Sequence, residues 1–261
     1  MVFNALGKRC GETSGNRARD QIPREGRALT KLTTAEPQEL LGPLTDLEHR
    51  AAAPELYLRG DRTLLELGTR VAVVGSRRAS PQGLEWTRLV TEALVERDVT
   101  VVSGLAKGID TVAHRTALDC GGKTVAILGT ALDQYAVPSN RRLQNEIGER
   151  GLLVSQFPAG SPPNRSNFPR RNKTMALLSD ATLVVEAAEN SGTRYQGWEA
   201  IRLGRPVLFL KRFLSMTSAK WPGEMIEYGA FAFDARSLLR VLDELPYRSA
   251  DPTADAGLLP F

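Results

Sequence analysis

From Arg70 onward, short runs of Val, Ile and Leu recur at 71–74, 99–103, 123–128, 152–155, 181–186 and 205–210, with a weaker run at 230–233. They are apolar on both sides of the chain rather than at alternate residues, the pattern of strands buried on both faces. Between them, the segments 81–97, 109–119, 139–150, 168–179, 192–203 and 219–228 place apolar residues at helical spacing, and a last helix fits 236–245. Strand and helix alternate about seven times. This predicts an α/β fold: a doubly wound, mostly parallel, Rossmann-like sheet of about seven strands with right-handed crossovers. In such a sheet, ligands bind beyond the C-terminal ends of the strands, where loops lead into helices.

The first part of the chain is less regular. Residues 1–31 are rich in Gly, Arg, Thr and Ser without an apolar period, which predicts a disordered basic tail. Pro37, Pro43 and Pro54 break up residues 32–69, and Glu55–Gly60 reads as a lead-in to the first strand. The expected organisation is a tail (1–31), a lead-in within a short irregular extension (32–69), a Rossmann-like domain (70–246) and a C-terminal tail (247–261).

Charge sharpens this picture. The 261 residues carry a net charge of +4, and residues 1–31 supply all of it, with seven basic groups against three acidic ones. The remaining 230 residues balance at 27 of each sign, so a polyanion site in the folded body must come from local clustering. One stretch has it: residues 151–179 hold Arg165, Arg170, Arg171 and Lys173 and no acid. The two cysteines, Cys10 and Cys120, are too few for a disulfide framework or a zinc site. No apolar run approaches the roughly 20 residues of a membrane span, and the N-terminus lacks a secretory apolar region. A cytoplasmic protein without membrane, metal or cofactor is expected.

The strand-end loops carry the chemistry. Gly75, Ser76 and Arg77 open the first, offering N–H groups, a hydroxyl and charge to an anion, or simply a tight turn with solvated arginines. The next glycine is Gly83, so the dinucleotide-binding fingerprint is missing and a nicotinamide-dependent dehydrogenase is disfavoured. In Ser103–Asp110, Asp110 is placed to cap a helix or to bond His114 one turn later. In the third loop, Pro169 suits a helix start, and Arg170, Arg171, Asn172 and Lys173 fall in its first turns beside Phe168. Cations there oppose the helix dipole but suit a phosphate, and Phe168 could stack on a base or anchor the loop. Ser191, Gly192 and Thr193 open the helix expected at 192–203 and offer a second anion site; Glu199 lies two turns inside it.

Taken together, VAVVGSRRAS, VVSGLAKGIDTVAH, KTVAILGTALD, FPRRNK, LSDATLVVEA, SGT and GRPV, preceded by LYLRGD, resemble in order and spacing the DNA-processing protein A family (DprA/Smf), over about Glu55 to Leu245. The resemblance implies a Rossmann-like domain that binds single-stranded DNA, dimerises and loads the recombinase RecA during natural transformation. It also implies a DNA pocket at Gly75, Ser76 and Arg77, continuing through Arg165, Phe168, Arg171 and Asn172 to Ser191 and Gly192. Relatives often have lysine at the place of Arg165. Many also carry a helical N-terminal domain and a C-terminal winged helix, which residues 1–50 and the stretch after Leu245 do not match.

Residues 191–200 also read partly like the phosphoribohydrolase branch of the same superfamily, which pairs an arginine with a glutamate after a Gly-Gly-x-Gly-Thr loop. Arg171 and Glu199 would be that pair, although Glu199 lies six residues past Thr193 rather than three, and the double glycine is missing. The leading expectation is therefore a single-stranded-DNA-binding protein without catalysis. The alternatives are a nucleotide N-glycosidase using Arg171 and Glu199, and a sensor of a small nucleotide in the same pocket.

Overall fold

The structure, a computed structural model, describes residues 32–246. In chain order its elements are β1 (Leu32–Ala35), α1 (Pro37–Leu41), α2 (Asp46–Ala51), β2 (Leu56–Gly60), α3 (Thr63–Glu66), β3 (Arg70–Val74), α4 (Pro81–Val95), β4 (Thr100–Ser103) and α5 (Ile109–Asp119). There follow β5 (Thr124–Leu128), α6 (Arg141–Arg150), β6 (Leu152–Ser155), α7 (Asn167–Leu177), β7 (Ala181–Val184), α8 (Gly192–Arg202), β8 (Val207–Leu210), α9 (Lys211–Met216), α10 (Trp221–Glu227), β9 (Phe231–Phe233) and α11 (Ala235–Glu244).

All nine strands join one sheet in the order β1-β2-β6-β5-β4-β3-β7-β8-β9. From β6 to β9 every pairing is parallel. Every residue of β3, β5, β7 and β8 is buried, which is why these strands show no alternation in sequence. Chain order reverses at β3: the strands next in sequence stack on one side, and β7, β8 and β9 on the other. The crevice between β3 and β7 is thus a topological switch point, the place where doubly wound sheets bind ligands.

Residues 32–60, expected to be an irregular lead-in, add two strands to this sheet. β2 runs antiparallel to β6, and β1 antiparallel to β2. Leu56 and Leu58 of β2 are buried while Tyr57 and Arg59 are partly open, the alternation of a strand with one covered face. The expected tails, 1–31 and 247–261, lie outside the described residues. No helix among the described residues is long and apolar enough to cross a membrane.

At the N-terminal ends of the central strands, Arg70 and Asp180 form an ion pair in which both side chains are 1% exposed. Arg70 donates from Nε and Nη2 to the two carboxylate oxygens, at 3.1 and 2.8 Å, and from Nη1 to the Leu65 carbonyl at 2.6 Å. The Arg70 backbone N–H also donates to Asp180, at 2.8 Å. The pair ties the end of α3 to β3 and β7, at the opposite end of the sheet from the strand-end loops.

Candidate nucleic-acid interface

The loop after β3 is built for close approach. A Cβ on Gly75 would lie 2.6 Å from the Glu186 carbonyl and from Ile109 Cγ1, so only glycine fits. The Ser76 N–H donates to that same carbonyl at 2.7 Å. Ser80 caps α4 by accepting the Gly83 N–H at 2.9 Å, while its own N–H donates to the Glu186 carboxylate at 2.9 Å. Glu186 therefore joins the loops after β3 and β7 across the switch point.

The loop after β4 reverses through Leu105, at φ +54°, and Gly108, at φ +77°. This turns the N–H groups of Gly104 and Ala106 onto Asp110, at 3.2 and 3.3 Å. The expected cap and the Asp110–His114 bond do not form: the loop amides occupy the carboxylate, and His114 Nδ1 pairs instead with Thr124 Oγ1 on β5 at 2.7 Å. Burial raises the Asp110 pKa, opposed by the charge of Arg171 and by the two loop amides.

Burial pushes the His114 imidazole down to about 3 from its usual 6.5. As pH falls below about 6.5, the unfolded chain takes up a proton that the folded protein refuses. Stability then drops by up to about 1.4 kcal/mol per pH unit until the folded value is reached. Asp110, with its raised pKa, acts in the opposite sense, since the folded state takes its proton first on acidification. In urea titrations between pH 7 and 5, His114→Gln is expected to lose stability less steeply than wild type. Equal slopes would rule out the neutral buried histidine as the cause.

Arg171, on α7, is only 6% exposed. Its Nη1 donates to the Ile127 carbonyl at 3.2 Å, and its buried Nε has no partner among the described residues. Burial lowers its pKa, Asp110 opposes that, and Arg77 adds to it; a guanidinium nonetheless stays protonated at neutral pH. Two glycines make room for this helix face. A Cβ on Gly104 would lie 1.4 Å from Arg171 Nη1, and one on Gly129 would lie 2.8 Å from the Phe168 ring. The Arg77 guanidinium sits over Phe168, 5.5 Å from its centroid. At the start of α8, Ser191 accepts the Thr193 N–H at 3.2 Å, and Asn172 donates to the Gly192 carbonyl at 3.3 Å.

These elements enclose a cleft of about 430 Å³. Of the residues singled out in the sequence, Gly75, Ser76, Arg77, Phe168, Arg171, Asn172, Ser191, Gly192 and Thr193 line it. Arg165, Arg170 and Lys173 do not; all three are exposed, and Arg170 lies over the Phe157 ring at 5.1 Å. The helical period explains the split on α7, because Phe168, Arg171 and Met175 share one face while Arg170 and Lys173 turn away. Glu199 is not on the cleft wall either. It accepts from Arg202 on its own helix at 2.7 Å, so the Arg171–Glu199 pairing is not formed. Asp110 and Tyr195 line the cleft without having been assigned to it. The spacing from Ser191 to Tyr195, one helical turn, was the only signal for the tyrosine.

Among known proteins, the sequence profile described as DNA recombination-mediator protein A matches residues 37–243. The chain belongs to that family. The match takes in β2 and the short helices before β3 as well as the parallel sheet. Protein Smf of Synechocystis sp. is 40% identical over 67% of this chain and 44% of its own length. DNA processing protein DprA of Streptococcus pneumoniae is 42% identical over 62% of this chain and 57% of its own. The chain spans about half the length of these curated relatives.

Solved structures of the DNA recombination-mediator family share the fold. The X-ray structure of DprA from Streptococcus pneumoniae matches with a TM-score of 0.69 at 34% identity, over 84% of this chain and 76% of that one. DNA processing protein A from Helicobacter pylori, described for its single-stranded DNA binding mode, matches with a TM-score of 0.69 at 25% identity, over 82% and 96%.

Proposed function

We propose that this protein binds single-stranded DNA in the cleft between β3 and β7 and performs no chemistry on it. The observation that carries this reading is Arg171: a buried guanidinium with an unpartnered Nε, on the wall of a cleft that also holds Arg77 and the start of α8. A phosphate oxygen supplies the acceptors that Arg171 lacks, and Ser76 and Ser191 line the same cleft. Arg165, Arg170 and Lys173, exposed outside the cleft, extend the positive rim along which a flexible backbone can run. Family membership and the Helicobacter pylori relative point the same way. In the cell, the protein acts in the cytoplasm as a homodimer, protecting single-stranded DNA and assisting RecA loading in natural transformation.

The N-glycosidase reading lacks its carboxylate: Glu199 lies off the cleft wall, held by Arg202. Fluorescence anisotropy with oligo(dT), duplex DNA and free nucleotides tests the proposal, with chromatography for released base. Tighter binding of oligo(dT) than of duplex is expected, with no base release and an affinity left unchanged by Glu199→Gln. Equal affinity for both DNA forms, or base release lost in Glu199→Gln, would reverse the reading.

A further inference from the structure

Two aromatic rings, Phe168 and Tyr195, stand on the cleft wall in opposite states. Phe168 is half-buried, with the Arg77 guanidinium over its ring and Gly129 packed against it. Tyr195 is 64% exposed and has no hydrogen bond, ring partner or cation among the described residues. Of its neighbours on α8, Gln196 is buried and Arg194 reaches Glu224 at 3.5 Å. An unpartnered aromatic on a concave wall leaves apolar surface in water that a flat ligand can cover.

The position of the ring narrows that ligand. Tyr195 follows the cap residue Ser191 by four residues, so both lie on one face of α8, about one 5.4 Å turn apart. In the same cleft, Arg171 offers its incompletely paired guanidinium. The wall thus presents an anion site and, one turn away, a bare π-face, which is the arrangement of a nucleotide's phosphate and its base. We infer that Tyr195 is a base-stacking platform: a nucleotide whose phosphate sits at Arg171 and the start of α8 lays its base on the Tyr195 ring. Phe168, its ring already under Arg77, serves to hold that arginine in place. Every base has a π-face, so the subsite takes any unpaired base and rejects paired ones, whose faces are stacked within the duplex.

This inference rests on the proposed function, and the experiment separates the two. The whole chain is titrated with oligo(dT) and with an abasic deoxyribose-phosphate oligomer of equal length, as wild type, Tyr195→Ala and Tyr195→Trp. Tyr195→Ala is expected to weaken oligo(dT) binding roughly 5- to 100-fold. Its affinity for the abasic oligomer and its slope of log K against log[salt] should match wild type, because no phosphate contact is removed. Tyr195→Trp should restore or exceed wild-type affinity for oligo(dT). A Tyr195→Ala protein that binds oligo(dT) as well as wild type, or loses affinity equally for both oligomers, would overturn the stacking role alone. A wild-type protein that does not bind oligo(dT) would overturn the proposed function and this inference together.

Discussion

In the Arg171→Ala protein, affinity for oligo(dT) is expected to fall about 10- to 100-fold, the worth of roughly 1.5–3 kcal/mol for a hydrogen bond to a charged group. The slope of log K against log[salt] should shrink by about 0.7, one phosphate's share on a single strand. Arg171 holds unspent donors: Nη1 reaches a single carbonyl and Nε reaches nothing among the described residues, in a residue only 6% exposed. Gly104→Ala tests the same site without removing a charge. Its Cβ would stand 1.4 Å from Nη1, so the guanidinium must leave its place, and affinity should fall although the net charge is unchanged. Wild-type affinity in both variants would exclude Arg171 as the phosphate contact.

Asp180→Ala should show the largest effect on stability. Removing one partner of a buried pair strands the other charge, at a cost of about 3–5 kcal/mol. For a chain of this size that corresponds to a fall in Tm of roughly 6–20 °C. Arg70 would keep its bond to the Leu65 carbonyl but lose both carboxylate oxygens. Replacing both members, as in Arg70→Met with Asp180→Leu, should recover much of the loss, because no charge is then left stranded. Well below Tm, affinity for oligo(dT) should stay unchanged, since the pair lies at the far end of β3 from the cleft. Calorimetry checks this directly: a Tm within about 2 °C of wild type for Asp180→Ala would mean that the pair does not hold the sheet.

The parallel sheet was legible because its strands carry runs of Val, Ile, Leu and Ala on both faces instead of alternating, the mark of strands covered on each side. β1 was not. Three of the four residues in Leu32–Ala35 are exposed, so the segment owes its shape to pairing with β2 rather than to any burial written in its residues. The cleft was legible as far as its chemistry is local, in the Gly-Ser and Ser-Gly-Thr loops and in the arginines of α7. Separating Arg171 from Arg170 and Lys173 required the helical phase set by Phe168 and Met175. The role of Asp110 was hidden, because it depends on the positive φ of Leu105, a turn that a leucine does not advertise. Gly104 and Gly129 were equally silent: each is small for the sake of a side chain arriving from α7, far along the chain.

Glu186 has a kinetic consequence. Its carbonyl and carboxylate accept from Ser76 and Ser80, which ties the loop after β3 to the end of β7 before any ligand arrives. A strand binding in the proposed cleft would meet these loops already joined and need not wait for them to fold around it. Association should therefore appear in stopped-flow traces as a single phase that accelerates in proportion to DNA concentration, and the lifetime of the complex, rather than its rate of formation, should distinguish strong ligands from weak ones.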